Sequence, residues 1–288
     1  MRSTPSITNA LTIDVEDYFQ VSAFAPYIER GAWDSRECRV ERNVERILAM
    51  LQENKTHATF FTLGWIAERY PALVRRIVDG GHELASHGYG HERVSDLSEA
   101  AFFNDIHRAK ALLEDIAGTC VHGYRAPSFS IGAGNLWALD ALQRAGYRYS
   151  SSIYPIQHDH YGMPDAPRFA HQIRDGLIEV PPTTLRMFNR NLPSSGGGYF
   201  RLFPYALSRW MLRQVNRQDS SPAVFYFQPW EMDVGQPRGQ GIGFKTRFRH
   251  YVNIGRMEQR LGHLLRDFQW GRMDHIFLSP HSKEVARV

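Results

Sequence analysis

Cysteine is scarce in this sequence, with only Cys38 and Cys120 among 288 residues. Two cysteines are too few for a disulfide framework, and no metal-ligand spacing links them. No apolar run reaches the roughly 18 residues that a membrane-spanning helix needs, so the sequence predicts no transmembrane segment. Residues 1–9 also lack the apolar stretch of a signal peptide. We therefore expect a cytoplasmic protein.

Lysine is scarce as well, so arginine supplies most of the net charge of +4. Basic residues are concentrated between Arg238 and Arg272, and aromatic residues alternate with them in residues 244–251. A nucleic-acid surface is one interpretation, but no nucleic-acid motif accompanies the pattern. A solvated helix face, or a surface for an anionic glycan or carrier, is the favoured interpretation, and we expect no nucleic-acid partner.

Predicted strands and helices alternate along the chain, which is typical of a parallel sheet. Strands are expected within residues 9–16, 58–63, 83–86, 121–125, 147–151, 177–180 and 223–227, and helices within residues 41–52, 65–79, 98–117, 135–145, 205–215 and 256–268. Residues 17–39 and 155–175 are expected to be loops. This many strand–helix units fit one α/β barrel better than two domains.

Two histidines, His87 and His91, lie four residues apart with Gly88 and Gly90 between them. The glycines disfavour a helix, and residues 82–85 read as a short strand, so the pair should lie where a strand ends and a loop begins. Imidazole is the commonest metal ligand among side chains, and such loops often carry function. Because the chain has 13 histidines, two unconnected surface histidines are the alternative.

Three acids, Asp14, Glu16 and Asp17, follow the first predicted strand. Strand side chains alternate between faces, so Asp14 and Glu16 should share a face and Asp17 should point away unless the chain has turned. Acids this close repel one another unless water or a cation neutralises them. An acidic loop that binds nothing, or binds calcium nonspecifically, is the alternative, and the buried-looking strand before it argues against a purely solvated tip.

Two imidazoles and one carboxylate form a metal site that leaves positions open for water and substrate. Zinc or another divalent first-row ion suits these ligands. Such an ion lowers the pKa of its water and polarises a carbonyl, and a second carboxylate can accept the proton of the water as general base. The two clusters together therefore indicate a hydrolytic site.

Five segments in chain order resemble the NodB-homology polysaccharide deacetylases of carbohydrate esterase family four: residues 11–19, 57–64, 81–91, 123–129 and 225–231. The Asp-Val-Glu-Asp stretch at 14–17 resembles the first motif of a subgroup associated with exopolysaccharide biosynthesis. The resemblance implies an incomplete (β/α)7 barrel that forms a single domain over residues 1–288. Its catalytic motifs would lie within 9–235, and a C-terminal extension, 236–288, would pack on the barrel. The implied activity is metal-dependent removal of N-acetyl groups from N-acetylhexosamine units of a bacterial exopolysaccharide or its precursor.

The same resemblance assigns roles to individual residues. It makes Asp14 the general base, His87 and His91 metal ligands, and Arg125 the group that orients the base; a surface salt bridge is the alternative for Arg125. The metal carboxylate usually follows the base directly, but position 15 is valine. Relatives with an Asp-x-Asp motif use the acid two places on, which is Glu16 here, and strand alternation independently favours Glu16 over Asp17. The implied metal is zinc, with cobalt, nickel or manganese as alternatives.

Gln228 departs from the late motif of the subgroup, which reads His-Pro-Trp-Glu where this chain has Gln-Pro-Trp-Glu. A histidine there would be the natural general acid, whereas glutamine donates a hydrogen bond but cannot cycle a proton. The chain could be a mutated inactive form, a variant that uses another acid, or a protein that binds carbohydrate without hydrolysing it. Other acids could be His281, His158, His160 or His171, each with an ordinary exposed histidine as its alternative. A related hydrolase acting on a non-sugar amide is a further alternative.

Substrate contacts are expected from Pro127, Phe129 and Trp230. Pro127 would shape a turn, and Phe129 and Trp230, with Tyr199 and Phe200, could be sugar-stacking walls; core packing is the alternative for each aromatic residue. Residues 194–198, Ser-Ser-Gly-Gly-Gly, lack the ending of a phosphate-binding loop, so they predict a flexible lid or a tight turn.

Overall fold

The computed structural model describes residues 7–158, 161–239, 241–279 and 286–287. Its main sheet has ten strands. They are β1 (Thr8–Val15), β2 (Thr59–Thr62), β3 (Glu83–Ser86), β4 (Gly123–Tyr124), β5 (Tyr149–Ser150), β6 (His171–Arg174), β7 (Leu177–Glu179), β10 (Val224–Phe227), β11 (Gln269–Gly271) and β12 (Ala286–Arg287). A separate antiparallel hairpin is formed by β8 (Thr184–Met187) and β9 (Arg190–Pro193).

Seven of these strands form a parallel path in the order β10-β1-β2-β3-β4-β5-β7. No ladder joins β7 to β10 among the described residues; instead Thr183, beyond the end of β7, exchanges hydrogen bonds with Val224 through its backbone N–H and its Oγ1. This open seam makes the fold an incomplete (β/α)7 barrel of the NodB type, as predicted. The antiparallel β6 continues the sheet beyond β7, and β11 pairs with the start of β1.

Ten α-helices surround the sheet in the part of the chain that is described. They are α1 (Val40–Glu53), α2 (Gly64–Arg69), α3 (Pro71–Asp79), α4 (Glu99–Ala117), α5 (Trp137–Arg144), α6 (Gly197–Leu202), α7 (Tyr205–Gln218), α8 (Phe244–Tyr251), α9 (Met257–Asp267) and α10 (Met273–Phe277). Helix α4 begins where Ser98 Oγ accepts the N–H of Ala101 at 3.3 Å, and it ends at Gly118 in the left-handed conformation, φ 63°. None of the described helices combines the length and apolarity that crossing a membrane requires.

The two faces of β1 decide where the site lies. Leu11, Ile13 and Val15 pack outward into the largest apolar cluster, which also contains residues of α1 and α9. Ala10 packs into a different cluster, with Phe61 and other residues of the barrel interior. Because strand side chains alternate, the even-numbered residues that follow Ala10 also face the interior. Asp14 is therefore carried into the barrel near the carboxyl end of the strand, and Glu16 follows directly after it.

Several elements differ from the sequence-based expectation. Strand β6 lies inside the predicted loop 155–175, and the segment 236–288, expected to pack on the barrel, also supplies β11. The predicted helix 65–79 is interrupted near Pro71 as expected, because Pro71 begins α3. The glycine-rich segment 194–198 is not an exposed lid: Ser194 and Ser195 are buried and bond the carbonyl of Thr183, and α6 begins at Gly197.

Candidate metal and hydrolytic site

Glu16, His87 and His91 meet at the carboxyl ends of β1 and β3. Each residue offers one ligand atom, these atoms lie within 4.8 Å of one another, and all three side chains are buried. Glu16 follows β1 in a turn in which its N–H bonds the carbonyl of Asp14 at 3.0 Å. The loop that carries His91 is held by Asp105, whose carboxylate accepts the N–H of Tyr89 at 3.0 Å.

Hydrogen bonds from outside the cluster hold His87 and Glu16 and leave their other ligand atoms facing the centre of the cluster. His87 Nδ1 lies 2.9 Å from the carbonyl oxygen of Arg125, so a proton on Nδ1 leaves Nε2 as a free ligand. Burial lowers the pKa of His87 to about 3, so its ring is neutral as a ligand must be. Trp230 Nε1 donates to Glu16 Oε1 at 3.2 Å.

The other oxygen of Glu16 is the strongest indication that a cation belongs here. Oε2 is buried and makes no hydrogen bond, although His91 Nε2 lies 2.7 Å from it. A buried carboxylate oxygen without a donor is costly. The donor set of one carboxylate and two imidazoles fits zinc or a similar divalent ion, so the residues present fit the metal that the fold implies.

Asp17 lies outside this cluster and has a different task. Its carboxylate accepts the N–H groups of Arg39 at 2.5 Å and Val40 at 2.8 Å, where α1 begins. It also accepts the N–H of Tyr18 at 2.8 Å. Burial raises the pKa of Asp17 to about 6 despite these bonds. The geometry therefore brings Glu16, and not Asp17, to the two histidines.

Asp14 and Arg125 form a buried ion pair beside the cluster. Arg125 Nη1 donates to Asp14 Oδ1 at 2.6 Å and to Thr12 Oγ1 at 2.8 Å, and its Nη2 donates to Ser151 Oγ at 2.9 Å. Burial raises the pKa of Asp14, and the guanidinium of Arg125 opposes that rise. The guanidinium is fully buried and anchored at both ends, so it fixes the carboxylate of Asp14 in one position. Sequence reasoning missed Thr12 and Ser151, although alternation on β1 could have indicated Thr12.

Three residues around the site have left-handed backbones that side chains rarely adopt. They are His91 at φ 57°, Ser128 at φ 55° and Phe129 at φ 50°. Each such residue costs on the order of 1–3 kcal/mol, and residues of this kind concentrate at functional sites. The strain therefore coincides with the predicted ligand His91 and with the turn that begins at Pro127.

The expected stacking walls are instead packed into the protein. Trp230 is 5% exposed and stacks on the ring of His250, with centroids 4.1 Å apart. Phe129 is 5% exposed and meets Tyr226 edge to face at 4.8 Å. Pro127 is buried as the first residue of a short 3₁₀ turn. Core packing, the alternative interpretation for the aromatic residues, fits the surroundings of Trp230 and Phe129, whereas Pro127, expected to shape a turn, begins this 3₁₀ turn.

The other two candidate stacking residues lie in different surroundings. Phe200 is buried, whereas Tyr199 lines a cavity. Nothing in the sequence pattern singled out His250 as the ring behind Trp230. Its Nε2 lies 2.7 Å from Gln236 Oε1, and burial lowers its pKa to about 3.

Gln228 follows β10 and lies on the same side of the sheet as Asp14. Tyr226 pairs with Thr12 in the ladder, so two residues further along each strand Gln228 comes level with Asp14. The N–H of Gln228 donates to Glu231 Oε2 at 3.0 Å, and Glu231 is paired with buried Arg201 at 2.9 Å. Position 228 is therefore fixed at the mouth of the barrel, near the ion pair.

Of the alternative acids, His171 lies in β6, His158 lines a cavity with Tyr226, and His160 and His281 lie outside the described residues. Nδ1 of His171 is 2.9 Å from the carbonyl of Phe169, and burial lowers the pKa of this histidine. His158 stacks on Tyr161 with centroids 4.0 Å apart.

Comparison with known proteins agrees with this geometry. Residues 32–150 match the polysaccharide deacetylase family, and residues 151–278 match a domain of unknown function, DUF3473. A polysaccharide deacetylase domain of the NodB type is therefore present, and a DUF3473 segment follows it. Neither match isolates the subgroup associated with exopolysaccharide biosynthesis.

Individual relatives carry related names. A peptidoglycan-N-acetylglucosamine deacetylase of Bacillus cereus is 33% identical over 96 residues, which are 33% of this chain and 35% of that protein. A chitooligosaccharide deacetylase of Azorhizobium caulinodans is 28% identical over 51% of this chain and 67% of that protein. This chain thus spans about a third of the length of the first relative and two thirds of the second.

A solved structure shares the whole fold. A Mycobacterium smegmatis protein described as a polysaccharide deacetylase superposes with a TM-score of 0.56 at 21% identity, covering 99% of this chain and 89% of that chain. At this identity the likeness establishes the architecture alone, an incomplete α/β barrel.

Proposed function

We propose that this protein is a metal-dependent carbohydrate N-deacetylase. Its substrate would be an N-acetylhexosamine unit of a bacterial exopolysaccharide or of its precursor. The observation that carries the proposal is the buried cluster of Glu16, His87 and His91, whose ligand atoms lie within 4.8 Å of one another. The named relatives, deacetylases of peptidoglycan and of chitooligosaccharide, support an N-acetylated sugar as the substrate class.

Glu16, His87 and His91 would hold the ion, which when bound polarises the acetyl carbonyl and acidifies a water. Asp14 would accept a proton from that water as general base. Arg125 keeps the carboxylate of Asp14 in place through the 2.6 Å bond. The raised pKa of Asp14 makes it a stronger base than an exposed aspartate, which suits proton transfer near neutral pH.

Departure of the amine requires a proton donor, and the residue expected to donate that proton is a glutamine in this chain. Gln228 is level with Asp14 on the barrel wall but cannot supply a proton. This observation favours a second candidate function: a catalytically weak or inactive carbohydrate-binding protein on the same scaffold. In that case Gln228 would donate a hydrogen bond to the bound sugar.

The test measures metal content and amine release on the same preparations. The purified protein, loaded with zinc, is incubated with N-acetylglucosamine oligomers, and free amine is quantified. We expect one zinc per chain and measurable amine release. Asp14→Asn should keep the zinc and lose turnover, because it keeps the shape but not the basicity of the carboxylate; His87→Ala should lose the zinc.

Two outcomes would change the proposal. Zinc and oligomer binding without any amine release would favour the second candidate. Near-normal turnover in Asp14→Asn would remove this residue from the role of base.

A further inference from the structure

Glu179, the last residue of β7, is a fully buried acid that the proposed chemistry does not use. Its Oε1 accepts the N–H of Ser152 at 2.7 Å and the N–H of Ile153 at 2.8 Å. Both N–H groups belong to the segment that follows β5. Because burying a carboxyl group is unfavourable, these two backbone contacts indicate what the residue does.

The segment that Glu179 holds also holds Arg125. The guanidinium of Arg125 donates to the carbonyl oxygen of Ser151 at 3.3 Å and to its Oγ at 2.9 Å. That carbonyl belongs to the same peptide group as the N–H of Ser152, so Glu179 orients the group that Arg125 contacts. In addition, Ser152 Oγ accepts the N–H of Ala126 at 2.9 Å.

A second peptide group, between Arg125 and Ala126, joins the two halves of the candidate site. Its carbonyl oxygen lies 2.9 Å from Nδ1 of His87, and its N–H is the one that Ser152 holds. The side chain of Arg125 holds Asp14 at 2.6 Å. A shift of this segment would therefore reach both a candidate metal ligand and the candidate base.

We propose that Glu179 is a positioning residue of the hydrolytic site, which acts through Ser151 and Ser152 on the backbone and the guanidinium of Arg125. The inference rests on the proposed function and deepens it. Glu179 and both serines lie in the segment that matches DUF3473, whereas Arg125 lies in the segment that matches polysaccharide deacetylase. The proposal therefore gives the DUF3473 segment a role at the site.

Two substitutions separate the hydrogen bonds of Glu179 from its charge. Glu179→Gln keeps a carbonyl oxygen for the two N–H groups, and its amide nitrogen replaces Oε2, which accepts no hydrogen bond from any described residue. Burial raises the pKa of Glu179 to about 7, so the neutral amide also resembles the protonated acid. Glu179→Ala removes the acceptor and leaves both N–H groups without it.

Glu83→Ala is the matched control. Glu83 is also buried and accepts hydrogen bonds from the hydroxyls of Thr59 at 2.6 Å and Tyr149 at 2.8 Å. It begins β3, so it lies at the opposite end of that strand from His87. Its loss should therefore lower stability without moving the site.

The experiment measures the zinc dissociation constant, kcat and KM for N-acetylglucosamine oligomers at saturating zinc, and urea unfolding. Groups that orient metal ligands typically change affinity or activity by about 10–100-fold when removed, so Glu179→Ala should bind zinc at least about tenfold more weakly. Its kcat should fall by a similar factor, with a smaller change in KM. Glu179→Gln should restore values close to wild type, and Glu83→Ala should be less stable but keep both zinc affinity and kcat.

A double-mutant cycle tests the route of the effect. Ser152→Ala removes the Oγ that holds the N–H of Ala126, and it should lower zinc affinity and kcat in the same direction as Glu179→Ala. Two residues that act through one route give a double variant that loses less than the product of the two single losses. Losses that multiply would overturn the proposed route. Ser152→Ala also serves as the test should Glu179→Ala fail to fold, and native zinc affinity and kcat in it would overturn the inference.

Three results with the Glu179 variants would also overturn the inference. They are native zinc affinity and kcat in Glu179→Ala, equal losses in Glu83→Ala, and a Glu179→Gln variant that restores neither value. If the wild-type protein binds zinc but releases no amine, the proposed activity fails separately. The zinc affinities of the same variants then decide the inference by themselves.

Discussion

Replacing Trp230 by phenylalanine tests whether the hydrogen bond from its indole to Glu16 helps to set the metal affinity. The indole N–H donates to Glu16 Oε1 at 3.2 Å, and the ring stacks on His250. Phenylalanine keeps most of the ring packing but removes the only donor of the indole. Glu16 then loses the bond that orients its carboxylate toward His87 and His91.

The expected magnitude follows from the geometry of that bond. A hydrogen bond to a charged group contributes about 1.5–3 kcal/mol, and 3.2 Å lies at the long end of the usual N–H···O range. The lower value, about 1.5 kcal/mol, corresponds to roughly a tenfold change in a dissociation constant. Partners of metal ligands typically change affinity by about 10–100-fold when removed. We therefore expect Trp230→Phe to bind zinc about tenfold more weakly.

The assay is competition for zinc against a chromogenic chelator at fixed pH. Trp270→Phe is the matched control, because Trp270 belongs to the same core cluster and its indole donates to the carbonyl of Leu264 at 3.0 Å, away from the ligands. The control should unfold at lower urea concentration but keep its zinc affinity. Native zinc affinity in Trp230→Phe, or equal weakening in both variants, would refute the reasoning.

Three further predictions concern the acid, the ligand and pH. Gln228→His should raise turnover by roughly 10²–10⁴, most strongly below neutral pH, without changing zinc content; a flat response in amine release would show that another group supplies the proton. Glu16→Ala should lose zinc, whereas Asp17→Ala should keep it and lose about 0.5–2 kcal/mol of stability in urea unfolding; the reverse order of zinc loss would make Asp17 the ligand. Burial lowers the pKa of His82 from 6.5 to about 4. The neutral buried imidazole therefore gives its full stabilisation above pH 6.5, and the free energy of unfolding falls by about 3 kcal/mol as the pH drops towards 4. Metal-free His82→Asn should show a smaller loss of unfolding free energy between pH 7 and 4.5 than metal-free wild type, and parallel curves would contradict this assignment.

Local patterns were enough to anticipate the parts of the site that lie on strands. Alternation along β1 places Thr12 and Asp14 on one face, and the glycines between His87 and His91 mark the end of β3. In each case one short segment determines the direction of its own side chains. The catalytic roles of Asp14 and Arg125 remain predictions that the experiments above address.

Parts of the fold that depend on distant partners were not anticipated. Strand β11 is three residues long and exists because it pairs with the start of β1. The sequence left both sugar stacking and core packing open for Trp230; in the structure His250 covers one face of its ring and Glu16 accepts its N–H. The glycines at 196–198 were expected to form a flexible lid or a tight turn; in the structure a Cβ at Gly197 would overlap the carboxylate of Glu231, so the segment is packed rather than free. Contacts between distant residues decide each of these features, and one sequence does not reveal them.

The pairing of β1 has a consequence for the order in which the protein can fold during synthesis. The hydroxyl of Thr12 bonds the carbonyl of Phe225, which lies 213 residues further along the chain, and β11 is made later still. At roughly 5–20 residues per second, the ribosome needs on the order of 10–40 s to supply that partner. During this interval one edge of β1 has no strand beside it and is open to pairing with another chain. The three candidate metal ligands, Glu16, His87 and His91, are therefore synthesised well before Trp230, whose indole donates to Glu16 Oε1.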